Sequence, residues 1–118
     1  MSLPANVDIV RVRYHWFDQD GTGAGRRVTF TPNKSLLIDT SAHAYIQLKP
    51  IEVIPDEDDG YFFADLIASN DPDLQGVVWT VALEGGPTYV ITVPYDAPLE
   101  DVGEAEDMKA VWLLEAAA

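Results

Sequence analysis

Two apolar alternations that face each other across a glycine-proline turn constrain this chain more than any other feature. Val77, Trp79, Val81 and Leu83 recur at every second position, as do Tyr89, Ile91 and Val93, and Glu84-Gly85-Gly86-Pro87 lies between them. A period of two puts each set on one face of a strand, and a short glycine-bearing connection between two such runs is the pattern of a β-hairpin. The rest of the chain repeats the theme. In residues 7–17, Val10, Val12, Tyr14 and Trp16 share one face while Arg11, Arg13 and His15 share the other, which predicts a strand with one wet face. A turn over residues 18–25, with three glycines and two aspartates, leads to a strand with Val28 and Phe30 inward, ended by Pro32. Leu36, Leu37 and Ile38, then a run from Tyr45 to Ile54 broken at Pro50, supply further strand material. Beyond the acidic turn 56–60, Phe62, Ala64 and Leu66 alternate with Tyr61, Phe63 and Asp65, and Asn70-Asp71-Pro72-Asp73 reads as a loop.

Six or seven short strands separated by such turns predict an all-β fold: a small antiparallel β-sandwich of immunoglobulin or fibronectin type, with a barrel as the main competitor. The length of 118 residues suits one core. We place the sandwich at residues 1–95. After Pro94 the composition changes: residues 96–107 hold six carboxylates and no base, and an apolar end follows. Met108, Val111, Trp112 and Glu115 fall at helical spacing, so residues 96–118 are expected to be an acidic linker and a short C-terminal helix or added strand. Trp112, Leu113 and Leu114 beside Met108 and Val111 form an apolar segment that either docks back on the sandwich or inserts into a partner, and these five residues are the candidate protein-interaction site.

Charge narrows the partners. Residues 1–49 carry six cations against four carboxylates, a balance of +2, whereas residues 50–118 carry Lys109 alone against sixteen carboxylates, a balance of −15. Nucleic acids and anionic membranes are bound through basic groups that displace counterions, so neither is an expected ligand. No apolar run reaches the length of a membrane span, and residues 1–5 lack the basic and apolar segments of a signal peptide, so the chain is expected to stay in the cytosol in which it is made.

Catalytic and metal constellations are incomplete. Cysteine is absent, and His15 and His43 belong to no zinc-type pair and accompany no nucleophile elbow. Residues 18–21 and 56–60 resemble fragments of calcium loops, but where that motif needs its closing glutamate the chain has Arg27 and Leu66. Twenty carboxylates make chance pairs unavoidable, so acid pairs alone do not indicate a glycosidase. No catalytic residue, cofactor or metal ligand is expected. Tyr61, Phe63 and Tyr95 are aromatics that could stack on sugar rings, which keeps a carbohydrate-binding module as an alternative.

Four strings of residues carry a resemblance. Val28-Thr29-Phe30-Thr31-Pro32, then Leu66-Ile67-Ala68-Ser69-Asn70-Asp71-Pro72-Asp73-Leu74, then Trp79-Thr80-Val81, then Tyr89-Val90-Ile91-Thr92-Val93-Pro94 follow one another in the order and spacing of a module found in minor tail proteins, and at the start of tail-fibre proteins, of phages that infect actinobacteria. The chain resembles that module over residues 7–102. It departs by lacking a proline-rich insert after Asp73 and by not continuing into a fibre shaft, which argues against host-receptor recognition. The resemblance implies a structural protein of the virion, in the tail or baseplate, made in the host cytoplasm and acting by binding other virion proteins. A capsid decoration protein is the close alternative. A homo-oligomer is expected, and cyclic symmetry such as a trimer would let copies exchange the C-terminal segment.

Overall fold

A computed structural model gives the fold over residues 3–72, 74, 76–101 and 107–116. The chain is all-β, with ten strands among the described residues: β1 (Ile9–His15), β2 (Val28–Pro32), β3 (Leu36–Asp39), β4 (Ala44–Gln47), β5 (Ile51–Val53), β6 (Tyr61–Ile67), β7 (Trp79–Leu83), β8 (Thr88–Ile91), β9 (Leu99–Asp101) and β10 (Asp107–Trp112). One turn of helix, α1 (Leu113–Ala116), ends the described chain. No helix of the described residues is long and apolar enough to cross a membrane.

The strands form two four-stranded sheets, β6-β1-β10-β9 and β5-β2-β7-β8, and a separate two-stranded ribbon, β3-β4. Alternation decides what lies between the sheets. Val10, Val12, Phe62, Ala64 and Leu66 of the first sheet meet Val28, Phe30, Trp79, Val81 and Ile91 of the second in one core cluster. The expected hairpin is present: β7 and β8 pair in antiparallel register through Gly85, whose φ of 73° is the left-handed conformation that glycine adopts without strain. Pro50 separates β4 from β5, as its missing N–H requires.

The loop after β6 ties the fold together. The indole N–H of Trp79 donates to the C=O of Ile67 at 3.0 Å, linking the sheets. Ser69 bonds Val93 twice, its N–H donating to the Val93 C=O and its Oγ accepting from the Val93 N–H, both at 2.8 Å. The Asn70 side chain accepts from the Tyr95 N–H, and the buried Asp71 carboxylate accepts from the Asp8 N–H just before β1. Asp73, expected in this loop, lies outside the described residues.

Two expectations are corrected. The C-terminal segment is not an appendage beyond residue 95. β10 enters the first sheet between β1 and β9, parallel to β1 with Arg11 opposite Ala110 and Arg13 opposite Trp112, so the sandwich is antiparallel in every pair but this one. Part of the expected linker is β9, antiparallel to β10; residues 102–106 lie outside the described residues. Both expected forms of the C-terminal end are present, β10 as the added strand and α1 as the short helix; over Met108, Val111 and Trp112 the strand period is hidden because apolar residues lie on both faces of β10. The second correction concerns the wet face of β1, where Arg11 and Arg13 are 7% and 9% exposed. The guanidinium of Arg11 lies 3.8 Å from the centroid of the Phe63 ring and bonds Asp65 at 2.8 Å, and that of Arg13 lies 4.3 Å from the Trp112 ring and pairs with Glu100. Neighbouring strands thus roof the arginines with rings and match their charges.

Leu113 is 2% exposed and Leu114 is 47% exposed, so adjacent leucines should respond differently. Leu113→Ala is expected to lower the unfolding free energy by about 2–5 kcal/mol, as for buried leucines generally, and Leu114→Ala by under about 0.5 kcal/mol. Urea denaturation of the two variants measures this.

Candidate functional site

Among the described residues, the β3-β4 ribbon carries three of the exposed large apolar side chains on one face. Its register sets Leu36 opposite Gln47 and Ile38 opposite Tyr45 on one face, and Leu37 opposite Ile46 and Asp39 opposite Ala44 on the other. Leu37 and Ile46 join the core, whereas Leu36, Ile38 and Tyr45 are 43%, 56% and 76% exposed. Pro72 and Leu74 lie beside Leu36 and Ile38, and these four side chains, with Lys34, Leu37 and Thr40, border an open depression of about 470 Å³.

The ribbon is held rigidly for so small an element. Asp39, 1% exposed, accepts two hydrogen bonds from the Asn6 side-chain amide, at 2.9 and 3.1 Å, and one from the Ala42 N–H at 3.1 Å. The tip turns through His43, whose φ of 54° is left-handed. At the base, the Leu48 N–H and the Gln47 side-chain amide both donate to the Ser35 C=O. A buried carboxylate with several donors is satisfied and fixes the geometry around it. The exposed row is therefore presented on a braced support. Sequence reading missed it, because Leu36-Leu37-Ile38 is an unbroken apolar run in which the alternation of inside and outside leaves no trace.

The five residues expected to bind a partner lie elsewhere. Leu113 belongs to the core, Met108, Val111 and Trp112 are half-buried in or beside the first sheet, and Leu114 remains exposed. The segment packs within its own chain, β10 in the first sheet and Leu113 in the core. The three aromatics of the carbohydrate alternative do not gather either. Tyr61 and Phe63 are neighbours, with ring centroids 5.7 Å apart, but Arg11 covers Phe63. The Tyr95 C=O accepts a bond from Lys109, which also pairs with Asp8 before the start of β1, whereas Tyr61 lies opposite His15 at the other end. Six residues of strand separate those ends, about 20 Å at ~3.3 Å per residue.

In the two acidic turns the carboxylates organise the backbone. Asp20 accepts from the Thr22 Oγ–H at 2.7 Å and the Thr22 N–H at 3.0 Å, Asp56 accepts from the Asp58 N–H, and Asp59 from the Tyr61 N–H. These bonds, the Thr22 hydroxyl first, hold the Asp20 carboxyl below its ordinary value. His15 stacks on Phe17 at 5.7 Å and bonds the Asp59 C=O through Nδ1 at 3.1 Å, which docks the first loop on the second.

A depressed carboxyl favours the folded chain above its ordinary pKa, and that advantage fades as the pH falls through the folded value; for a fully solvated Asp20 the effect on stability is small. Thr22→Val is expected to return the Asp20 titration upward towards its ordinary value in carboxyl-carbon NMR. Calcium added to the wild-type chain should leave both that titration and the melting temperature unchanged, because these carboxylates already serve their own turns. Compared with protein families, curated proteins and solved structures, the chain finds no match.

Proposed function

We propose that this chain is a structural protein of a tailed-phage particle, in the tail or baseplate, and that it acts by binding neighbouring virion proteins through the β3-β4 ribbon. The observation that carries the reading is the exposed row Leu36, Ile38 and Tyr45 on a ribbon braced by buried Asp39. Large apolar side chains held rigidly in water gain most from a partner that buries them, at roughly 1.5–3 kcal/mol for each side chain fully covered. A protein whose neighbours recur at fixed spacing can realise that gain at every copy. The resemblance to actinobacteriophage tail modules supports the setting, and the hydrogen bonds of Ser69, Asn70 and Asp71 give the second of its four strings a structural purpose.

Ile38→Asp and Tyr45→Asp change only exposed side chains, so each is expected to fold with a melting temperature within a few degrees of wild type. Their combination is expected to reduce incorporation into particles at least tenfold, measured as copy number by quantitative mass spectrometry of purified virions after complementation. Normal copy number in a folded double variant would refute docking through the ribbon. Glycan-array binding by the wild type that is lost in Tyr61→Ala would favour the carbohydrate reading instead.

A further inference from the structure

One long strand edge of the sandwich keeps unpaired backbone groups at its middle. A sheet edge presents unpaired N–H and C=O groups, and proteins blunt such edges with short strands, proline or a covering segment. Three of the four edges here follow that rule. β5 has three residues between Pro50 and Pro55, β8 has four between Pro87 and Pro94, and β9 has three just after Pro98. Beside β8, the Thr92 N–H donates to the Ala116 C=O. The fourth edge, β6, has seven residues, no proline and no bulge, and pairs with β1 on one side only.

Hydrogen bonds at its ends show which groups point outward. The Tyr61 C=O accepts from the Asp56 N–H and the Ile67 C=O from the Trp79 indole, while Ala68 donates back to Asp8 on the β1 side. Strand groups alternate sides every residue. The N–H and C=O of Phe63 and Asp65 therefore point away from β1, and among the described residues no backbone group pairs with them. Two hollows border this strand, one of about 460 Å³ lined by Val53, Ile54, Phe62 and Phe63, and one of about 380 Å³ lined by Ile9, Ile51, Asp65 and Ile67.

We infer that the β6 edge accepts an extended segment of a partner protein as an added strand, apolar at alternate positions and cationic where it passes residues 56–59. The register supplies backbone bonds at Phe63 and Asp65, and the two hollows take the alternate side chains. Charge selects the occupant. Asp56, Glu57, Asp58 and Asp59 stand just before the start of β6, with Lys49 as the cation of the second hollow. A second copy of this chain, at a net charge of −13, is repelled, whereas a basic segment is drawn in. This surface is separate from the ribbon of the preceding section and stands or falls without it.

The probe is a short synthetic peptide alternating valine with lysine and threonine, titrated into the full chain while amide exchange is followed by NMR. The Phe63 and Asp65 amides are expected to exchange rapidly in the free protein and at least about tenfold more slowly at saturation. A peptide with glutamate for lysine should bind at least about tenfold more weakly, and so should the cationic peptide N-methylated on its edge-facing backbone nitrogens. On the protein side, Asp65→Ala and Asp65→Pro both lose the ion pair to Arg11, but only the second loses the outward N–H. Binding should be about tenfold weaker in Asp65→Pro than in Asp65→Ala. If Asp65→Pro does not fold, the N-methylated peptide with wild-type protein decides the same point. The inference is overturned if the cationic peptide fails to protect Phe63 and Asp65, if N-methylation leaves binding unchanged, or if the same protection arises from protein concentration alone, which would assign the edge to a second copy. Loss of ribbon docking in the Ile38 and Tyr45 variants leaves all of these readouts unaffected.

Discussion

The bond from the Trp79 indole to the Ile67 carbonyl joins the two sheets at the point where the chain leaves one for the other. A buried indole N–H needs an acceptor, and a strand-end carbonyl is free to be one, so the pair satisfies two groups that burial would otherwise penalise. Everything around it depends on that junction. Ser69, Asn70 and Asp71 follow Ile67 after Ala68 and hold Val93, Tyr95 and Asp8, which places the chain after β8 and the start of β1. The strand so placed is the one beside which β10 inserts. Residues 67–71 are therefore a clamp on Asp8, on Trp79 and on the stretch from Val93 to Tyr95, and the Ser69, Asn70 and Asp71 side chains are there for the bonds they make to backbone.

A second constraint is the scarcity of cations. With seven basic residues against twenty acids, each charge that enters the sheets must be matched locally. The first sheet does this with two arginines, each placed between a ring and a carboxylate: Arg11 with Phe63 and Asp65, Arg13 with Trp112 and Glu100. Delocalised guanidinium is suited to such a place, since it stacks on a ring and pairs with an acid at once. The outer face of the sheet is thereby closed without another layer of structure. Strand β10 supplies Trp112 and β9 supplies Glu100, so the roof over Arg13 is built from the part of the chain that composition alone marks as a tail.

What the sequence disclosed and what it concealed follow from this arrangement. Strands with one buried face, such as β7 with Trp79 and Val81 inward, print their period on the sequence and were legible, turns included. The arginines of β1 were misread because a charge at alternate positions looks solvated whether or not a neighbouring strand later covers it. Strand β10 was obscured because Met108, Ala110 and Trp112 lie towards the arginine roof while Val111 leads into the buried Leu113, so apolar residues occupy both faces. The ribbon failed for the opposite reason: Leu36 and Ile38 are apolar and exposed, a condition that periodicity does not report. Sequence periodicity reports burial within the chain, and it does not say which apolar side chains stay in water.

The negative charge and the exposed apolar ribbon bear on one another physically. An apolar row of this kind invites association between copies, which buries the same side chains. Like charge on every copy opposes that encounter over a Debye length, about 8 Å in physiological salt, while leaving contact with a neutral or basic surface open. Because the acids are concentrated after residue 50 and Lys34 lies at the ribbon, repulsion is set by the body of the molecule and not at the docking row itself. A partner with a basic or neutral face around an apolar groove would meet attraction first and burial second. On the proposed reading, the net charge acts on which protein reaches the ribbon, and the three exposed side chains act on how firmly it stays.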